Sequence, residues 1–431
     1  MSASPKPKLL FLAHLLPWPL EGGGQIKSYQ ALRLLKSHFD VTMLAFIRSD
    51  GEKRNVAALE PFCTGGIQTI LLQHNRWRDV SAFFHAVGTG CSLVIARDRS
   101  SAMHNAVRGA LASHRFAAVH VDHLQMMAFV PPSGSPAFAD AKVVLDQHNI
   151  EHQILQTIAQ IEPKSFSLLQ WAARWDLPRL KRFEQSACQR ADRVLVVSQT
   201  DADVVTELLG REAAAEKARV TPIGVDTEYF TPTKPARYPS GPMLSVGTMY
   251  WPPNVDAVQW FCAEILPLVR KDLPYARFQI VGSKPAPRVR ALAAAQPESV
   301  DVTGTVPDVR PYMSGCSVFV VPLRAGSGMR VKILNAMAMG LPIVSTTLGA
   351  EGIAVTPGEN ILLADDPAAF AEAIKQVLTS PPFAERLGHA ARDLALQRYS
   401  LNLAAQELLH VYRELGILSS DTEMAQESMT T

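Results

Sequence analysis

Continuous apolar runs, each trailed by a longer amphipathic stretch, occur in two successive series along this chain, and that pattern leaves few folds open. In the first series Lys8–His14 reads as a strand, Gln25–Ser37 as a helix and Val41–Phe46 as the next strand. Further strands are expected at Ile67–Leu72, Val119–Asp122, Lys142–Gln147 and Arg193–Ser198. Several of these runs are apolar throughout rather than alternating, as a parallel strand covered on both faces requires. Between Gly224 and Pro242 the pattern stops, and Pro232, Pro235, Pro239, Gly241 and Pro242 give a linker composition. A second series follows, with strands at Met243–Gly247, Phe278–Gly282, Ser317–Pro322 and Pro342–Ser345 and helices at Val255–Val269 and Gly328–Met339. The expected fold class is α/β, with two doubly wound, Rossmann-like domains at 1–224 and 243–400 joined by a linker at 225–242. A helix at about 401–416 is expected to pack back on the first domain, and 417–431 read as a polar, frayed tail.

Bulk properties exclude several classes. A chain of 431 residues exceeds one ordinary core, and 47% hydrophobic residues argue against disorder. A formal net charge of +2 gives no nucleic-acid footprint. Cys63, Cys91, Cys188, Cys262 and Cys316 are scattered without metal spacing, which reads as reduced thiols in a cytoplasmic protein. Leu9–Leu16 is too short for a signal peptide or a membrane span. A peripheral contact at the inner face of the membrane stays open. Trp171, Arg174, Trp175, Arg179, Lys181 and Arg182 make an aromatic, basic stretch of the kind found on interfacial helices. Pro178 interrupts it, and an ordinary surface helix is the favoured reading.

Ligands of open parallel sheets sit beyond the carboxyl ends of the strands, so the residues just past each strand are the candidates. Gly22-Gly23-Gly24 opens the first helix, where backbone N–H groups can approach an anion; a flexible turn is the equal alternative. Gly326-Ser327-Gly328-Met329-Arg330-Val331-Lys332 follows a strand and opens a helix. Cations in a helix's first turn oppose its dipole, so Arg330 and Lys332 point to a bound diphosphate rather than to solvated surface charge. His148 lies in Asp146-Gln147-His148-Asn149 at a strand's carboxyl end, and His120 and Asp122 end the neighbouring strand; all three are ligand-side candidates. Asp226, in Gly224-Val225-Asp226, reads as a turn cap. The loop at Val306, after a strand near Val302, can offer backbone groups to a base.

These segments, with Pro253–Asp256, resemble glycosyltransferase family 4 over nearly the whole chain, and within it the bacterial sugar transferases of exopolysaccharide systems. The resemblance implies a GT-B fold with two domains facing a cleft. It also implies a nucleotide-sugar donor (UDP- or GDP-sugar), retention of anomeric configuration, a sugar or lipid-linked sugar acceptor and no metal or other cofactor. On it, Gly23 and Gly24 lie near the donor phosphates and His148 faces the transferring sugar. Arg330 and Lys332 stand at the diphosphate, Val306 at the base, and Ser327, Gly328, Met329 and Asn335 in the donor site. The family's usual Glu-x7-Glu falls on Ser327 and Asn335, so both carboxylates are replaced. The usual Arg-x4-Lys is also missing, and Thr248–Pro253 stands there. A non-catalytic nucleotide-sugar-binding partner protein and a nucleotide-sugar epimerase on the same fold are the competing readings.

Overall fold

A computed structural model describes residues 5–20, 22–132, 141–160, 168–232, 241–326 and 328–419. The chain divides into two units, Met1–Pro222 with Ala405–Thr431, and Ile223–Ala404.

The first unit holds seven parallel strands: β1 (Lys8–Ala13), β2 (Asp40–Ile47), β3 (Gly66–Leu71), β4 (Ala118–Asp122), β5 (Lys142–Asp146), β6 (Arg193–Val196) and β7 (Ala218–Val220). Their order is β3-β2-β1-β4-β5-β6-β7. Between them run α1 (Gly23–His38), α2 (Arg76–Thr89), α3 (Leu93–Arg97), α4 (Ser101–Ser113), α5 (Glu151–Gln160), α6 (Leu168–Arg190), α7 (Gln199–Leu209) and α8 (Arg211–Lys217). The central strands are buried along nearly their whole length, while the edge strand β3 is only partly covered, with Gly66, Gln68 and Leu71 exposed. That difference is the reason for the continuous apolar runs: a strand with helices on both faces has no face left for polar side chains. One layer of the core packs Leu32 and Leu35 of α1 on Leu9, Phe11 and Val41, and Leu408, Val411 and Tyr412 join it. The other layer packs Met103 and Val107 of α4 and Leu180 of α6 against Leu10, Leu12 and Val121.

The second unit has β8 (Met243–Val246), β9 (Phe278–Val281), β10 (Val300–Gly304), β11 (Val318–Val321), β12 (Ile343–Ser345) and β13 (Leu362–Leu363), in the order β10-β9-β8-β11-β12-β13 and parallel throughout. Its helices are α9 (Pro252–Trp260), α10 (Leu266–Asp272), α11 (Pro287–Ala295), α12 (Arg310–Gly315), α13 (Val331–Ala338), α14 (Pro367–Thr379) and α15 (Pro381–Arg398), followed by α16 (Leu401–Glu414). Each sheet is doubly wound, with its reversal of strand order between β1 and β4 in one unit and between β8 and β11 in the other. Crevices at such reversals are where ligands of this architecture bind.

Strand ends shift by one or two residues and the first unit ends at Pro222 rather than 224, while three helices differ from the sequence reading for local reasons. The helix expected at Val255–Val269 is broken into α9 and α10 by a wide turn at Phe261–Ile265. Pro267, at the start of α10, has no N–H to donate and its ring crowds the carbonyl four residues back, so the helix widens there. The helix expected from Gly328 begins at Val331, because Gly326 and Gly328 hold left-handed φ of 117° and 84°, which a right-handed helix excludes. Helix α1 starts two residues early, so Gly23 and Gly24 lie in its first turn. Among the described residues no helix is long and apolar enough to cross a membrane, and all five cysteines are free.

Candidate active site

In the first unit the site is assembled at the carboxyl ends of β4 and β5 by the start of α1. Lys27 and Ser28 are buried, which is unusual for a lysine and needs a partner. The Lys27 ammonium donates to Asp146, the last residue of β5. The Ser28 hydroxyl lies 2.9 Å from both carboxylate oxygens of Asp122, the last residue of β4. Gly24 makes room for this clamp: a Cβ there would stand 3.1 Å from Nε2 of His123 and 3.4 Å from Nδ1 of His148. Gly22 caps the helix without a side chain and no acidic residue follows in the first turn, so the amides at Gly23 and Gly24 meet no negative charge of their own helix.

Asp122 is wholly buried and serves two histidines. His123 Nδ1 donates to Asp122 Oδ2 at 3.0 Å. His148 Nε2 lies 3.0 Å from Asp122 Oδ1, outside hydrogen-bond alignment. The two rings lie against each other with centroids 4.0 Å apart. Burial opposes charge on both, but Asp122, with Glu151 and Asp146, holds His123 above its ordinary value. Burial first and the neighbouring His123 second push His148 down to about 4. Charge is thus favoured on His123 by its carboxylate neighbours and disfavoured on His148 by burial and by His123. Burial works against the Asp122 carboxylate too, yet the two histidines hold it well below the usual carboxylate range.

His123 was not among the residues read from the sequence, and it stands in front of one that was. Its side chain is 11% exposed against 2% for His148, so His123 is the ring that faces outward and His148 lies beneath it. Its φ of 77° with ψ of 147° is a conformation that side chains other than glycine's rarely adopt. The available signal was position alone: His123 is the first residue past β4. His120 is corrected as an acceptor-side contact. It is completely buried, stacked on Phe11 at 4.7 Å, with Nδ1 2.9 Å from the Tyr412 hydroxyl and Nε2 3.6 Å from Asp146. Asp122 likewise reaches no surface and acts through the histidines it holds. Glu184 of α6 pins the loop that carries His148. Its carboxylate accepts from Gln147 Nε2 at 2.7 Å and from the backbone N–H groups of Glu151 and His152 at 3.0 and 3.1 Å. Asp122, His123 and His148, and also His120, Asp122 and Asp146, bring three potential metal-ligand atoms within 4.8 Å of one another, although Lys27 and Ser28 already engage both carboxylates.

In the second unit the strand ends at the β8–β11 reversal carry the cations. Gly328 and Met329 lie outside the helix, Arg330 is the residue before α13 with Nη1 donating to Gly328 O at 2.7 Å, and Lys332 lies in the first helical turn. Met329 is buried and Gly328 half-buried beside it. Ser327 lies outside the described residues. Lys332 Nζ donates to Asn254 Oδ1 at 3.1 Å, and Asn254 Nδ2 donates to Thr248 O, also at 3.1 Å. Gly247 permits this, since a Cβ there would meet Asn254 Nδ2 at 2.9 Å. Burial, then the charge of Arg330, push the Lys332 ammonium down to about 7. Asp256 receives Arg324 in a two-pronged pair at 2.7 and 3.0 Å. The Pro253–Asp256 run therefore holds the segment after β11 at two points. Asn335 is half-buried, and among the described residues its side-chain amide has no hydrogen-bond partner. Val306 sits in the loop after β10, where Asp308 accepts from the Arg310 N–H at 2.9 Å and the Arg310 guanidinium lies 3.7 Å over the Tyr229 ring. Asp226 accepts from the backbone N–H groups of Glu228 and Tyr229, at 3.1 and 2.8 Å, as a turn cap does.

Two family models match. One, described as Glycosyltransferase Family 4, covers residues 29–229, and one described as Glycosyl transferases group 1 covers residues 242–380. A D-inositol 3-phosphate glycosyltransferase of Stackebrandtia nassauensis is 26% identical over 257 residues, 53% of this chain and 55% of that one. The chain spans about half the length of the curated relatives it matches. Sucrose-phosphate synthase of Thermosynechococcus elongatus superposes with a TM-score of 0.70 at 17% identity, covering 96% of this chain and all of that one. Anabaena HepE, solved with UDP-glucose, gives 0.61 at 14% identity over 94% of this chain and 99% of its own. With two doubly wound sheets of seven and six strands and family models matching both halves, the chain belongs to glycosyltransferase family 4 and has the GT-B fold.

Proposed function

We propose that this protein is a retaining glycosyltransferase. It moves a sugar from a nucleotide-diphosphate sugar to a sugar or lipid-linked sugar acceptor in the synthesis of an exopolysaccharide or other surface glycan, working from the cytoplasmic side of a membrane. The observation that carries the reading is the Asp122–His123 pair: an imidazole held by a buried carboxylate, on strained backbone, at the first position past a strand at the sheet's reversal point. With Nδ1 given to Asp122, His123 presents Nε2 to a hydroxyl of the reacting sugar or acceptor. Arg330 and Lys332 meet the donor diphosphate, with Gly328 and Met329 shaping its approach and the Val306 loop meeting the base. In the transfer the bond from the anomeric carbon to the diphosphate oxygen breaks. The acceptor oxygen attaches on the same face, and its proton passes to the departing phosphate. Charge gathers on that phosphate, and fixed cations stabilise it without reorganising. The UDP-glucose complex of HepE supports a UDP-sugar as the first donor to try.

The test is a thermal-shift screen of UDP-, GDP- and ADP-sugars, followed by transfer assays with and without excess EDTA. A saturating donor at one hundred times its dissociation constant should stabilise the fold by about 2.7 kcal/mol. Transfer should proceed unchanged in EDTA; a collapse rescued by magnesium or manganese would move the role of Asp122, His123 and His148 to metal ligation. Donor consumption without an acceptor would favour the epimerase.

Asn335 is proposed to hold the donor ribose where the family places a glutamate. A neutral amide makes weaker hydrogen bonds to hydroxyls than a carboxylate does, by roughly a factor of two. Asn335→Ala should raise the donor KM by about 1–2 kcal/mol in binding terms and leave acceptor affinity unchanged. Asn335→Glu should preserve or tighten donor binding. Wild-type donor kinetics in the alanine variant would remove the ribose role. An inert wild type made active by the glutamate substitution would show a binding protein that has lost catalysis.

A further inference from the structure

Helix α2 is built inside out. Its inward face is made of small residues, Ala82 and Ala86, packed with Ala96 and Trp175. Its outward face carries Trp77, Val80, Phe84 and Val87, which are 83%, 48%, 68% and 54% exposed. The spacing of three, four and three residues places all four on one stripe. A helix whose only task is to cover a sheet does the reverse, because large apolar side chains gain most from burial. Contiguous exposed apolar surface of this kind marks an interaction site. The stripe extends to α6: Phe83 lies against Trp175 with ring centroids 5.7 Å apart, and Trp171, one turn before Trp175, is 46% exposed.

The charge around the stripe selects its occupant. Arg76, Arg99, Arg174, Lys181 and Arg182 are exposed. The two acids of α6 are turned inward: Asp176 accepts from the Ser92 hydroxyl and the Leu93 and Val94 N–H groups, and Glu184 from the His148 loop and the start of α5. Across α2, α3 and α6 the one exposed acid is Asp79, and it is paired with Arg97 at 2.8 Å. An aromatic stripe rimmed by cations, with its one exposed acid already paired, fits an anionic lipid surface, where the rings enter the headgroup boundary and the cations meet phosphate. A second copy of the chain would bring like charges together on the same face. We propose that the α2–α6 face docks on anionic membrane lipid. The proposal does not depend on the transferase reading, since docking is read without turnover.

The experiment is co-sedimentation of the full chain with vesicles of phosphatidylcholine alone and of phosphatidylcholine mixed with phosphatidylglycerol. Wild type should pellet with the mixed vesicles and not with phosphatidylcholine, and high salt should weaken the association. Trp77→Ser with Phe84→Ser should bind about tenfold or more weakly at a nearly unchanged unfolding temperature, because both side chains are mostly exposed. Arg76→Ser with Arg174→Ser should reproduce the loss and remove the salt dependence. Failure of wild type to pellet with the mixed vesicles at low salt would overturn the proposal. So would equal binding by the Trp77/Phe84 variant, or a wild-type dimer dispersed by that variant with no lipid bound.

Discussion

Replacing His123 with glycine should cut transfer by about 10²–10⁴-fold while leaving the melting temperature within a few degrees of wild type. Two opposing terms set the stability. Glycine adopts a φ of 77° at no steric cost, relieving strain of order 1–3 kcal/mol. Against this, Asp122 loses the His123 hydrogen bond, about 1.5–3 kcal/mol for a bond to a charged group, though Ser28 still donates to its carboxylate. His123→Ala loses the same bond and keeps the strain, so it should be the less stable of the two variants and equally slow. Paired measurements of unfolding and turnover on both variants check this. Near-wild-type turnover in the glycine variant would reduce His123 to a structural residue, and equal stability of the two would show the backbone unstrained. A residue held in a costly conformation, whose removal does not destabilise, is kept for its chemistry.

That histidine also marks where reading the sequence stops short. The two sheets were legible because β1, β4, β5 and β11 are mostly apolar and buried on both faces, so pattern and structure share one cause. The strand-end rule brought out Asp122 and His148, but not which ring covers the other. That order depends on packing from a remote segment, where the missing side chain of Gly24 leaves room for both rings. The Lys27–Asp146 and Glu184–His152 pairs are long-range for the same reason, and neither partner's local sequence announces the other. At Gly326–Arg330 the glycines were read as a helix opening because glycine permits close approach of an anion. Their left-handed φ instead delays the helix to Val331 and leaves Arg330 outside it. The aromatic, basic stretch at Trp171–Arg182 was a surface-helix signal with half its meaning missing. Trp175 is packed under Phe83, and the exposed apolar stripe lies on α2, a helix whose pattern points away from the core it covers.

Lys332→Met should give the second large effect, a loss of turnover of about 10²–10³-fold, in a protein at least as stable as wild type. Its ammonium is held at about 7 by burial and by Arg330, against an ordinary value of 10.5. Between those two values the unfolded chain binds a proton that the folded chain does not, so folded stability rises with pH across that window and carries a penalty at neutral pH. Methionine fills similar volume without a charge and removes the penalty. The same shift makes binding of the donor diphosphate pH-dependent with a definite sign. A diphosphate favours the protonated lysine, so above pH 7 binding must first supply a proton. UDP affinity in wild type should therefore fall as pH rises from about 7, by up to about tenfold per pH unit until the bound-state value is reached. Calorimetric titration of UDP at successive pH values, in buffers of different ionisation enthalpy, reads both the affinity and the proton taken up. Lys332→Met should bind more weakly near pH 7 with a flat profile. Lys332→Arg should keep its charge at every pH, flatten the profile and retain part of the affinity, which separates a charge requirement from a packing one. A wild-type profile already flat across pH 7 to 9, with no proton uptake, would place the diphosphate away from Lys332 and leave Arg330 as its cation.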